Sequence, residues 1–298
     1  MPAISQRASA IAAVLAANFF FGTSVIAVKQ VSPSLIHPMA LTGIRIFCAG
    51  SLFWMLYLTH PVATGITKKD YVRLFFCAMA GIAINQSFSI TGMSLTSPIH
   101  ASLLILTTPI TITLLAAIFL KEKLTAFKIA GLLLGIAGGS ILVFSRNTQT
   151  PSGSDEMLGD LFVIGGALGY STYVILIKPL MSKYQPMHIL QWVFFMGGWV
   201  IIPLAWPQLL NASWFAFTPL HWFCIAYVVL GGTFLAYLFM NYAIRILGAA
   251  TTGSFIFSQP FFGATAAILI LHEPITTPKI LAAVCIIGGV LLANYKKA

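Results

Sequence analysis

The sequence predicts an all-α integral membrane protein: ten transmembrane helices in two inverted five-helix repeats, residues 1–149 and 150–298. Three observations carry this prediction. The first is composition. The chain is 59% hydrophobic and 7% charged, with a mean hydropathy of +0.95, whereas soluble domains carry about 25% charged residues. A chain so poor in charge cannot cover a water-facing surface. The second is a set of ten apolar segments, near 8–28, 38–59, 71–91, 98–120, 126–145, 158–178, 188–206, 219–242, 248–271 and 277–295. Each is long enough to cross a hydrocarbon core of about 30 Å as a helix. The third is a motif that occurs twice. Thr108-Pro109-Ile110 leads through an apolar run to Glu122 and Thr125, and Gln259-Pro260-Phe261 leads to Glu273 and Thr276, each pair 151 residues apart.

The elements follow in order. Arg7 precedes span one, which includes Asn18, and no small-residue cleavage site is followed by a soluble domain. The segment therefore reads as a retained span. Pro38 and Pro98 suit helix starts for spans two and four. Pro109 and Pro260 are expected inside spans four and nine, where each removes a backbone bond and frees a carbonyl. Such groups are tolerated in a membrane where they face protein or a cavity. The Gly131–Gly135–Gly139 stripe and Gly288-Gly289 let spans five and ten approach their neighbours closely. Residues 146–157 are rich in Ser, Gly, Pro and Thr and read as the linker between halves.

Twelve of the sixteen Lys and Arg residues fall at ends that are cytoplasmic if the N-terminus is inside. This distribution predicts both termini in the cytoplasm of a multi-pass protein of the cytoplasmic membrane. Five spans per half then put the second copy in the membrane the opposite way up, as in many secondary transporters.

The starts of the halves also correspond: Phe21-Gly22-Thr23-Ser24 before Lys29, and Tyr170-Ser171-Thr172-Tyr173 before Lys178. With Arg45 in span two and the doubled proline-to-glutamate motif, these residues resemble the drug/metabolite transporter superfamily, and within it the ten-helix EamA-type carriers. The resemblance covers essentially the whole chain. It implies a central cavity lined by spans one, three, four, six, eight and nine, and export of amino acids or similar small metabolites. Two positions depart from the family pattern. Phe21 stands before Gly22 where tryptophan is usual, and His272 stands before Glu273 where glycine is usual.

Polar groups inside apolar spans usually face a bundle interior or a water-filled path. Asn18 and Ser24, Asn85 and Gln86, Thr108, Tyr173, Tyr237 and Asn241, and Ser258 and Gln259 are the candidate substrate-binding residues. Thr23, Ser89, Thr107 and Tyr170 are further polar positions in the same spans. The other reading of all of them is helix–helix adhesion. Arg45 is the one strong ionisable group well inside a span. It either attracts an anionic substrate group or braces the bundle. Pro109, Pro260, Glu122, Glu273, Lys29 and Lys178 are assigned structural or gating roles at hinges and span ends. His100, at the start of span four, reads as a packed or interfacial residue. Phe255, Phe257, Phe261 and Phe262 offer an apolar cavity wall beside Gln259.

Absences narrow the function. No span has Asp or Glu near its middle, and the first-span Glu that small multidrug-resistance carriers use for cationic drugs has no equivalent here. There is no HExxH, no GxSxG and no pair of carboxylates, so a membrane-embedded enzyme is disfavoured. Cys48, Cys77, Cys224 and Cys285 lie singly in apolar runs and suit packing, not metal binding or disulfides. The expected partners are a small-molecule substrate and the lipid bilayer, with no nucleic acid and no cofactor. A monomer is compatible with these features. Other small solutes, such as nucleobases, sugars or amphiphilic drugs, remain alternative cargoes.

Overall fold

The computed structural model describes residues 4–59, 65–119, 126–144, 153–181, 183–247, 252, 255–272 and 274–293. In chain order the helices are α1 (Ile4–Val31), α2 (Pro38–Thr59), α3 (Lys68–Leu95), α4 (Pro98–Leu104), α5 (Thr107–Phe119) and α6 (Ala126–Phe144). They continue as α7 (Gly153–Met181), α8 (Pro186–Leu210), α9 (Pro219–Leu247), α10 (Ser258–Leu271) and α11 (Thr277–Ala293). No strand occurs among the described residues. Six helices, α1, α2, α3, α7, α8 and α9, are long and apolar enough to cross a bilayer. The regions of α4–α5, α6, α10 and α11 supply shorter apolar stretches. Glu122 and Glu273 lie outside the described residues.

The surface is that of a protein dissolved in lipid. Phe47, Met55, Ile118, Trp199, Trp206 and Leu269 each expose more than half of their area, while Asn18, Arg45, Gln86, Asp160 and Gln259 are buried. A water-soluble protein has the reverse distribution. The architecture is therefore an all-α, multi-pass membrane bundle.

Local sequence sets the helix ends. Thr67 caps α3 by accepting from the Asp70 amide, and Ser97 caps α4 by accepting from the His100 amide, with Pro98 in its first turn. Thr218 and His221 form a reciprocal box at the start of α9. The paired prolines correct the sequence expectation. Pro109 and Pro260 stand in the first turns of α5 and α10, not inside continuous helices. A first-turn N–H has no intrahelical acceptor, so proline there removes no bond. It ends the preceding segment instead: α4 stops, and the Ile105 carbonyl takes the Thr108 amide at 3.0 Å.

Two further irregularities match across the chain. α3 contains a π-helical turn at Met79–Ile84 and α9 contains one at Leu230–Leu235, at the spacing of the doubled motif. Such turns insert a residue and loosen the backbone ladder, often at functional sites. In α9 the Thr233 hydroxyl donates to the Val228 carbonyl at 2.8 Å, five residues back. α10 is followed by His272 at φ 51°, the left-handed conformation that favours glycine.

α1 packs along α9 and α10, α7 along α3 and α5, α2 along α8, and α6 along α11. Small residues set these approaches. A Cβ on Gly92 would lie 2.7 Å from the Gly159 carbonyl oxygen and from Val163, and one on Gly22 would lie 2.6 Å from the Gln259 carbonyl oxygen. One on Gly289 would lie 2.6 Å from the Gly131 carbonyl oxygen, so the glycine stripe of α6 seats α11. The apolar interior forms one cluster around Val28, Leu41, Ile90 and Leu104 and a second around Phe53, Leu74, Tyr173 and Phe194.

Gly92→Val is expected to destabilise the protein by about 1–3 kcal/mol through overpacking. Gly288→Ala, whose added methyl among the described residues meets the Leu134 side chain at 3.5 Å, serves as the tolerated control. Thermal unfolding of the purified proteins in detergent distinguishes them, and an unchanged Gly92→Val midpoint would refute the tight α3–α7 contact.

Candidate functional site

The bundle holds a partly open cavity of about 90 Å³. Ser24 of α1, Arg45 of α2, Asn85 and Gln86 of α3, Thr108 of α5, Tyr237 of α9 and Gln259 of α10 all line it. The sequence singled out these seven, and packing brings them together from six helices. Ser89 and Tyr170 line it as well.

The polar wall is bonded in two groups. Gln86 Nε2 donates to the Tyr237 hydroxyl at 2.5 Å, and that hydroxyl donates to Asn85 Oδ1 at 3.3 Å. Gln86 and Tyr237 are 151 residues apart, so the bond joins corresponding positions of the two halves. Asn85 Nδ2 in turn donates to the Gly166 carbonyl at 2.9 Å. In the second group, Gln259 Nε2 donates to Asn18 Oδ1 at 2.7 Å, and Asn18 Nδ2 donates to the Phe255 carbonyl at 2.9 Å. Asn18 thus holds Gln259 from behind and does not itself line the cavity.

Arg45 braces the bundle at the cavity. Its Nε donates to Thr233 Oγ1 at 2.8 Å and its Nη2 to the Gly232 carbonyl at 3.3 Å, both within the π-helical turn of α9. Among the described residues it is the one charged side chain lining the cavity. A guanidinium has five N–H donors in a fork, so these two bonds leave others for a ligand.

Several expected site residues lie elsewhere. Ser258 donates to the Phe255 carbonyl at 2.7 Å, and Asn241 Nδ2 to the Tyr237 carbonyl at 2.8 Å, as bonds local to their own chain segments. Tyr173 is fully packed, with its hydroxyl beside the Asn241 side chain. Lys29 reaches from the end of α1 to the Ser94 carbonyl at 2.9 Å, and Lys178 is exposed on α7. Of the expected phenylalanine wall, Phe261 is 68% exposed and Phe262 packs on Phe19, the Phe257 side chain lies outside what is described, and Ile256 lines the cavity. The rest of the apolar wall includes Phe21, Ile90, Met93, Val163 and Met240. Nothing in their type or spacing separates these from residues that face lipid.

The profile of the EamA-like transporter family matches the chain twice, over residues 8–144 and 157–295. The uncharacterized transporter YetK of Bacillus subtilis is 25% identical over 99% of this chain and 89% of its own length. An uncharacterized transporter of Archaeoglobus fulgidus is 25% identical over 93% of this chain and 96% of its own length. A WAT1-related chloroplastic protein of Arabidopsis thaliana is 23% identical over 93% of this chain and 67% of its own length. A solved crystal structure superposes with a TM-score of 0.60 over 96% of both chains at 18% identity, a likeness of fold.

The bond between Gln86 and Tyr237 is expected to show a coupling of about 0.5–1.5 kcal/mol in a cycle of Gln86→Leu, Tyr237→Phe and the double variant. Equilibrium unfolding measures it, and strictly additive effects would mean that the two side chains do not interact.

Proposed function

We propose that this chain, which belongs to the EamA-like transporter family, is a secondary transporter that exports amino acids or closely similar small metabolites across the cytoplasmic membrane. The observation that carries the reading is the chemistry of the cavity wall. Among the described lining residues, Arg45 supplies the one positive charge and there is no carboxylate. A carboxylate ligand matches that charge, and charge-assisted, bidentate pairing is what a guanidinium favours. Gln86 and Gln259 each commit their amide nitrogen to a protein partner, leaving their oxygens to accept from an ammonium group. Phe21, Ile90, Met93 and Val163 provide an apolar surface for a side chain. An α-amino acid with an apolar side chain meets all three features.

Transport proceeds by alternating access between two inverted repeats, 1–149 and 150–298. The close glycine contacts favour moving bodies in which each repeat exchanges its first helix. α1 moves with α9 and α10, and α7 moves with α3 and α5. The Gln86–Tyr237 bond then spans the two bodies at the cavity. The outward direction is the one the family resemblance implies. The placement of both termini in the cytoplasm rests on the distribution of Lys and Arg.

Counterflow of radiolabelled leucine and phenylalanine in proteoliposomes tests the reading. Arg45→Gln is expected to raise KM about tenfold or more, the loss of one charge-assisted contact of about 1.5–3 kcal/mol. Amines lacking the carboxylate should compete poorly. Absence of saturable flux for every amino acid, or equal competition by those amines, would defeat the assignment.

A further inference from the structure

The end of the bundle that carries Lys29 holds a second polar cluster that does not line the cavity. Asp160 of α7 and His100 of α4 are 1% and 3% exposed. His100 Nδ1 lies 3.1 Å from Asp160 Oδ2 and 3.9 Å from Glu156 Oε1. Thr96 Oγ1 donates to Asp160 Oδ1. The Glu156 side chain is partly exposed, so the cluster runs from the surface of the bundle to a fully buried carboxylate.

A buried carboxylate is costly unless it is paired and hydrogen-bonded. Asp160 is hydrogen-bonded whichever charge His100 carries, but it is paired only when the ring is charged. With a neutral ring, the imidazole and two carboxylates hold two negative charges. A second proton, taken from water at Nε2, places an imidazolium against both. No other bond forms or breaks, and the proton returns to water on release.

The element held by this cluster is α4, a single short helix with a break on each side. Ser97 and Pro98 start it anew after Thr96, and the chain turns again at Ile105 and Leu106. All seven of its residues are buried, and His100 is its one titratable side chain. α4 packs on α10 and α1 as well as on α7, with Ser102 against Gly263 of α10. The charged groups brought by these neighbours are Asp155, Glu156 and Asp160 from α7, and Lys29 from α1, bonded at Ser94. Among the described residues, α10 is followed by His272 and α11 contains Lys279. The cluster is one step from the cavity. Ile105, just after α4, and Val163, one turn beyond Asp160, both line it.

We infer that His100 and Asp160 form a proton-binding latch that holds α4 against α7 and seals this end of the cavity. With the proton bound, the ion pair keeps α4 seated. Without it, α4 is released and the end opens.

Thiol labelling tests the latch without any substrate, so the outcome is independent of what the cavity carries. Ser102→Cys is introduced after replacing Cys48, Cys77, Cys224 and Cys285 by alanine, and its rate of reaction with N-ethylmaleimide is measured in proteoliposomes. The rate is divided by that of the same cysteine in a His100→Gln background, which cancels the thiol's own ionisation. Labelling in the His100 protein is expected to be slower by about threefold or more at acidic pH, with the difference lost as pH is raised. Asp160→Asn, which keeps the shape and removes the charge, should abolish that pH dependence, and it replaces His100→Gln as the reference if the latter does not fold. A ratio that is constant with pH would overturn the inference.

Discussion

Lipid offers the polypeptide no hydrogen bonds, so every backbone group that leaves its helical ladder must find a partner inside the protein. That constraint governs the middle of this bundle. Two π-helical turns and two helix restarts at prolines loosen the backbone around the cavity, and polar side chains gather where it is loosened. Thr233 takes the Val228 carbonyl, Arg45 takes the Gly232 carbonyl, and Asn18 takes the Phe255 carbonyl. The residues that look like binding groups are in part repairs to the backbone. The cavity exists because those repairs leave donors and acceptors to spare.

The same constraint governs Arg45. An unpaired charge at this depth is costly, and the π-helical turn of α9 supplies two acceptors that keep the guanidinium in place without neutralising it. A positive charge held by neutral partners stays available to an anion.

The matched halves were legible because sequence repeats survive as motifs. Pro109 and Pro260, and the polar residues at mid-span, could be read directly. What those prolines do could not. Proline within an apolar run predicts a kinked helix, yet both residues begin a new helix, because the preceding segment turns before reaching them. Asn18 and Gln259 were legible as polar positions, but that one holds the other depends on α1 packing along α10. The role of His100 was equally hidden, since its carboxylate partner lies 60 residues away on α7.

By itself, the sequence determined the class of solvent and the all-α character, because hydrophobicity is a property of residues in order along a chain. It also named most polar residues of the cavity, since a polar group in an apolar span has few places to go. Only the tertiary structure decided which of them face the cavity and which stand behind it, and which apolar residues form its walls. Those outcomes depend on how closely helices approach, and the approach is set by contacts such as Gly92 on Gly159 and Gly22 on Gln259, between residues far apart in the chain.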